Sequence, residues 1–87
     1  MEDKLATRYD LLIESIENIC KTKNITCVTS SQTHWTFFKL IRSDGVSVQY
    51  EMNWMYFINS GSNDLIIHEI SRKIDELIAA QYLQALL

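Results

Sequence analysis

The stretch from His34 to Ile58 constrains the fold more than any other part of the chain. At its centre, Ser43-Asp44-Gly45 is a turn signal between two β-prone segments. Both tryptophans, all three phenylalanines and two of the four tyrosines lie within it. After the turn the pattern is regular. Val46, Val48, Tyr50 and Met52 alternate with Ser47, Gln49, Glu51 and Asn53, as in a strand with one wet face. Before the turn it is not. Trp35, Phe37 and Ile41 share one side of the His34–Arg42 segment with Lys39, and His34, Thr36, Phe38 and Leu40 share the other. Large apolar groups stand on both sides.

The turn decides which side is core. A two-residue loop at Asp44-Gly45 pairs Ile41 with Val48 and Phe37 with Met52, and puts Lys39 opposite Tyr50 on the core face. A three-residue loop, Ser43-Asp44-Gly45 with Gly45 left-handed, pairs Leu40 with Val48 and Phe38 with Tyr50. Lys39 then stands in water and Trp35 and Phe37 go to the outer face. One residue of slip exchanges the faces completely. Burying an unpaired lysine costs several kcal/mol unless its amine reaches solvent. Exposing a Trp and a Phe forgoes about 2 kcal/mol each. The balance is close and leans slightly to the three-residue loop. In either register a second apolar face remains, and such a patch on a small protein marks a contact surface unless its own chain covers it.

The flanks read as helices. Over residues 3–22, Leu5, Tyr9, Leu12, Ile13, Ile16, Ile19 and Cys20 recur at three- and four-residue steps. Lys21 and Lys23 suit the end of the helix and Asn24 its stop. Residues 25–29 form a short β-branched strand, and Ser30-Ser31-Gln32-Thr33 a turn. Trp54 to Ile58 is apolar throughout. It reads either as a fourth strand continuing past a break at Asn53 or as a helix. Asn59 to Asp64 is a loop whose Ser62 or Asn63 caps a second helix over residues 64–85. Its core stripe is Ile67, Ile70, Ile74, Leu77 and Ile78. Beyond Ile78 the sequence is apolar nearly all round, which predicts a helix end covered on several sides, by its own chain or by a symmetric partner at Tyr82, Leu83 and Leu86.

Composition then removes function classes. An 87-residue chain is expected to be one domain, residues 1–87, with a small core. A net charge of −3 lacks the basic surplus of an electrostatic nucleic-acid binder. No segment reaches the roughly 18 apolar residues of a membrane span, and the charged start resembles no signal peptide. The expected compartment is the cytoplasm, where Cys20 and Cys27 stay reduced. Their spacing fits no standard zinc motif. His34 and His68 lack a local partner for acid–base work, and no carboxylate pair is isolated in an apolar setting. Gly45 and Gly61, the only glycines, are turn residues and form no phosphate loop. No enzyme activity, metal or cofactor is expected.

The order helix, three strands, helix in fewer than 90 residues resembles double-stranded-RNA-binding domains. Those domains carry a basic cluster at the start of the last helix. Here that place holds Asn63, Asp64 and Glu69, with Arg72-Lys73 the one nearby basic pair. The residues that would hold phosphate are missing, so the resemblance is one of element order alone.

The expected fold is therefore α+β: a helix, a three-stranded antiparallel sheet with 54–58 open as a fourth strand, and a helix, both helices on one face of the sheet. The expected function is a non-enzymatic protein–protein interaction module. Trp35, Phe37, Lys39, Trp54 and Tyr56 are the candidate partner contacts, because interface centres favour aromatic anchors. Tyr82, Leu83 and Leu86 are the candidate homodimer contacts. A small acidic chain without proline would suit a phage or mobile-element inhibitor or regulator of a larger host protein. Two alternatives are a nucleic-acid module that stacks bases on sheet aromatics, and a structural homo-oligomer.

Overall fold

The computed structural model describes residues 4–86, with side chains as far as Leu83. Helix α1 spans Lys4–Thr22, strands β1, β2 and β3 span Thr26–Ser31, Trp35–Ile41 and Ser47–Asn53, and helices α2 and α3 span Trp54–Asn59 and Asp64–Leu86. The strands form one antiparallel sheet in the order β1-β2-β3. Helix α1 packs on β1 and α3 on β3, and both lie on the same face of the sheet. Between the layers are Leu12, Ile16 and Cys20 of α1, Phe38 and Leu40 of β2, Tyr50 and Met52 of β3, Phe57 of α2, and Ile66, Ile70, Ile74 and Leu77 of α3.

The hairpin takes the three-residue loop. Leu40 pairs with Val48, Phe38 with Tyr50 and Lys39 with Gln49. The Arg42 amide donates to the Val46 carbonyl at 2.8 Å and the Gly45 amide to the Arg42 carbonyl at 2.9 Å. Gly45 has φ 90°, a left-handed conformation that a side chain would strain. Asp44 locks the turn from outside. Its two carboxylate oxygens accept from Nε and Nη2 of Arg42 at 2.8 and 2.6 Å. That bidentate bond holds the Asp44 carboxyl down at about 2. Arg42 is itself buried and also donates to the Leu77 carbonyl of α3 at 2.7 Å. The hairpin is thereby tied to the helix above it.

Three local expectations need correction. The run at 54–58 is not a fourth strand. The Asn53 side chain accepts from the amides of Met55 and Tyr56 at 2.8 and 3.4 Å, capping α2. The i, i+3 pair Trp54 and Phe57 then packs inward, and Met55 and Ile58 point out. The first strand begins one residue late, because Ile25 closes α1 instead. Its amide reaches the Cys20 carbonyl at 2.8 Å across Asn24, which has φ 58°. The first turn is also tighter than its polar run suggests. Gln32 and Trp35 exchange backbone bonds around Thr33-His34, which puts His34 in the turn.

Arg8 fastens α1 to the segment before α3. Its guanidinium donates to Asn63 Oδ1, the Phe57 carbonyl, Ser60 Oγ and the Ser62 carbonyl at 2.7–3.0 Å. It also lies 4.1 Å over the Phe57 ring. Asn63 returns a bond from Nδ2 to the Arg8 carbonyl at 2.9 Å. Asn63 was expected only as a cap. Its side chain serves this cross-link, while Ser62 Oγ accepts from the Asp64 amide at 3.3 Å.

Candidate protein-docking surface

The three-residue loop fixes what faces outward. Thr26, Val28 and Ser30 of β1, Trp35, Phe37, Lys39 and Ile41 of β2, and Ser47, Gln49, Glu51 and Asn53 of β3 stand on the face away from the helices. No further layer of the described chain lies over them. The rings of Trp35 and Phe37 stack at 6.5 Å between centroids, 14° from parallel. Trp35 is 39% exposed and Phe37 half-buried. Phe37 is flanked by Ser30 and Glu51, and Lys39 by Val28 and Gln49. The result is an aromatic pair at the start of β2, bordered by Ser30, Glu51 and Asn53, with Lys39 the one cation and Glu51 the one anion of this face.

The five candidate partner residues divide into three groups. Trp35, Phe37 and Lys39 are neighbours on the outer face. Trp54 is half-buried among Tyr9 and Phe57, with centroids at 4.9 and 5.4 Å, and belongs to the seam between α1 and α2. Tyr56 lies at the other side of α2. Its hydroxyl donates to Glu69 Oε1 at 2.7 Å, and Tyr50 donates to Glu69 Oε2 at 3.0 Å. The hydrogen bond to this carboxylate raises the phenol pKa of Tyr56. For Tyr50 burial raises it first and Glu69 second. These bonds join α2, β3 and α3, so Tyr56 has a structural duty.

Helix α3 runs past the sheet. Among the described residues its last buried side chain is Leu77, and Tyr82 and Leu83 are 69% and 63% exposed. The described chain does not cover this end, contrary to the reading of an end buried by its own fold. The side chain of Leu86 lies outside the described residues. The exposure of Met55 and Ile58 on α2 escaped the sequence reading, as did that of Leu11 and Leu65. For Met55 and Ile58, a three-residue spacing offset by one from that of Trp54 and Phe57 was the available signal.

His34 and His68 are exposed, His34 in the turn between β1 and β2 and His68 on α3. Among the described residues, no cluster of His, Cys, Asp and Glu could hold a metal. Cys20 and Cys27 are free thiols beside one cleft of about 350 Å³. A hydrogen bond between them lowers the Cys27 thiol to about 7 and raises that of Cys20. Neither histidine lines this cleft as a base. No described helix is long and apolar enough to cross a membrane. Compared with protein-family models, curated proteins and solved structures, the chain matches none of them.

Proposed function

We propose that the protein is a non-enzymatic protein–protein interaction module, which binds and regulates a larger protein through the outer face of its sheet. The observation that carries this reading is the stacked Trp35–Phe37 pair, partly exposed on the sheet face away from the helices and bordered by Ser30, Glu51 and Asn53. Aromatic anchors ringed by polar groups are what interface centres are made of. Leaving them exposed stabilises nothing within the fold.

Base stacking on the same two rings is the rival use of such a pair. It is disfavoured by the face itself, where Glu51 offsets Lys39 and no basic stripe leads a backbone in. Tyr82 and Leu83 would serve a homodimer contact by the same logic of uncovered apolar surface.

The test is affinity retrieval from the native host with wild-type protein and with Trp35→Ser/Phe37→Ser, followed by mass spectrometry. A protein captured by the wild type and lost by the double variant, with both equally folded, supports the reading. Equal capture by both sinks it. Retention of a labelled single-stranded oligonucleotide by the wild type, lost as salt rises, would put the rival in its place.

A further inference from the structure

The sheet has two edges, and they are not alike. In the β1–β2 hairpin, Gln32 and Trp35 exchange both backbone bonds. The antiparallel register then directs the backbone groups of Ser30, Val28 and Thr26 toward β2. Those of Cys27, Thr29 and Ser31 point away from the sheet. They offer three N–H donors and three C=O acceptors at alternate residues, with no partner among the described residues. Strand β1 reads Thr-Cys-Val-Thr-Ser-Ser and has neither a charge nor a proline. Open edges normally carry one or the other to prevent added pairing. Strand β3, the other edge, carries Glu51.

A second feature borders this edge. The last turns of α1 and the start of β1 flank the open cleft of about 350 Å³, with Glu17, Lys21 and Cys27 on its walls. Asp10, Glu14 and Glu17 follow one another on α1 at steps of four and three, with Lys21 four residues further, so this ridge of the helix surface carries three carboxylates and one amine. All three carboxylates are exposed, and none makes an ion pair among the described residues. The side chains of Thr29 and Ser31 are also exposed, though they face the helix layer, so α1 leaves the edge open.

We propose that the β1 edge takes up an extended, basic peptide segment of a partner protein as a fourth strand. Only an extended backbone presents acceptors and donors at the alternate spacing that Cys27, Thr29 and Ser31 require. Every second side chain of the added strand faces the α1 layer, where the acidic ridge selects lysine or arginine. A second copy of this chain fits poorly. Two-fold pairing of β1 with β1 would set the ridge of Asp10, Glu14 and Glu17 against itself. The proposal names the partner chemistry for the interaction reading and rests on it. The site is separate from the Trp35–Phe37 pair, so either can fail alone.

The probes are two capped peptides, one alternating valine and arginine, the other valine and glutamate. The readout is amide hydrogen exchange with each peptide raised to millimolar concentration. The basic peptide should slow exchange at Cys27, Thr29 and Ser31 by about tenfold or more, leaving Val28 and Ser30 unchanged. Glu17→Gln should weaken its binding about two- to five-fold. Thr29→Pro should abolish binding without unfolding the sheet, because the N–H it removes points away from β2. No protection in the wild type, equal protection by the acidic peptide, or protection centred on Trp35 and Phe37 would overturn the proposal. So would protection of the same amides without peptide that grows with protein concentration, the mark of a second copy.

Discussion

Strand β2 has two sides that look alike in sequence and fare differently in the fold. Thr36, Phe38 and Leu40 on one side are fully buried, whereas Trp35, Phe37 and Ile41 on the other remain partly open. Phe37 and Phe38 are adjacent residues of the same type. The difference between them comes from a turn several residues away, where Gly45 adopts φ 90° and sets the register. Residue type tells how well a side chain can be buried. The loop tells whether it is.

The two phenylalanines give the largest contrast. Phe38→Ala removes a fully buried ring and should cost about 3–5 kcal/mol in urea unfolding, enough to threaten so small a fold. Phe37→Ala should cost only about 1 kcal/mol, because much of its ring already meets water. Equal losses for both would mean that the outer face is packed. Gly45→Ala comes next. The added Cβ meets nothing within 4 Å, so its whole effect is backbone strain. A loss of about 1–2 kcal/mol is expected, with unchanged near-UV circular dichroism. A neutral substitution would remove the turn as the arbiter of the faces.

The smallest effect is pH-dependent. Folding lowers the Asp44 carboxyl from 3.8 to about 2. Its contribution is therefore complete above 3.8 and is lost as pH falls through that interval. The difference in urea midpoint between wild type and Asp44→Asn should be present at about pH 6 and shrink toward about pH 2. A constant difference would mean that Arg42 does not lock the hairpin through this carboxylate.

What the sequence made legible follows from where each determinant resides. The register was legible only as a slight lean, because the cost of burying Lys39 was nearly matched by the cost of exposing Trp35 and Phe37. The helices were readable because their stripes repeat over many turns. The run at 54–58 is short enough to fit either period. Its fate turned on the Asn53 side chain, whose two cap bonds decide in favour of helix. The candidate site was half legible for the same reason. Trp35 and Phe37 were assigned by register, whereas Trp54 required knowing that Tyr9 would lie beside it. Arg8 gave no signal, since its four acceptors, two of them backbone carbonyls, lie about 50 residues away, and the bond from Arg42 to the Leu77 carbonyl was also remote.

The Arg8 cross-link bears on how the protein is born. Its partner Asn63 is 55 residues downstream. At ribosomal speeds of about 5–20 residues per second, the first helix waits roughly 3–11 seconds for its fastening to be synthesised. During that wait Leu12, Ile16 and Cys20 have no α3 to lie against, and the nascent chain is a natural client for whatever shields emerging polypeptides.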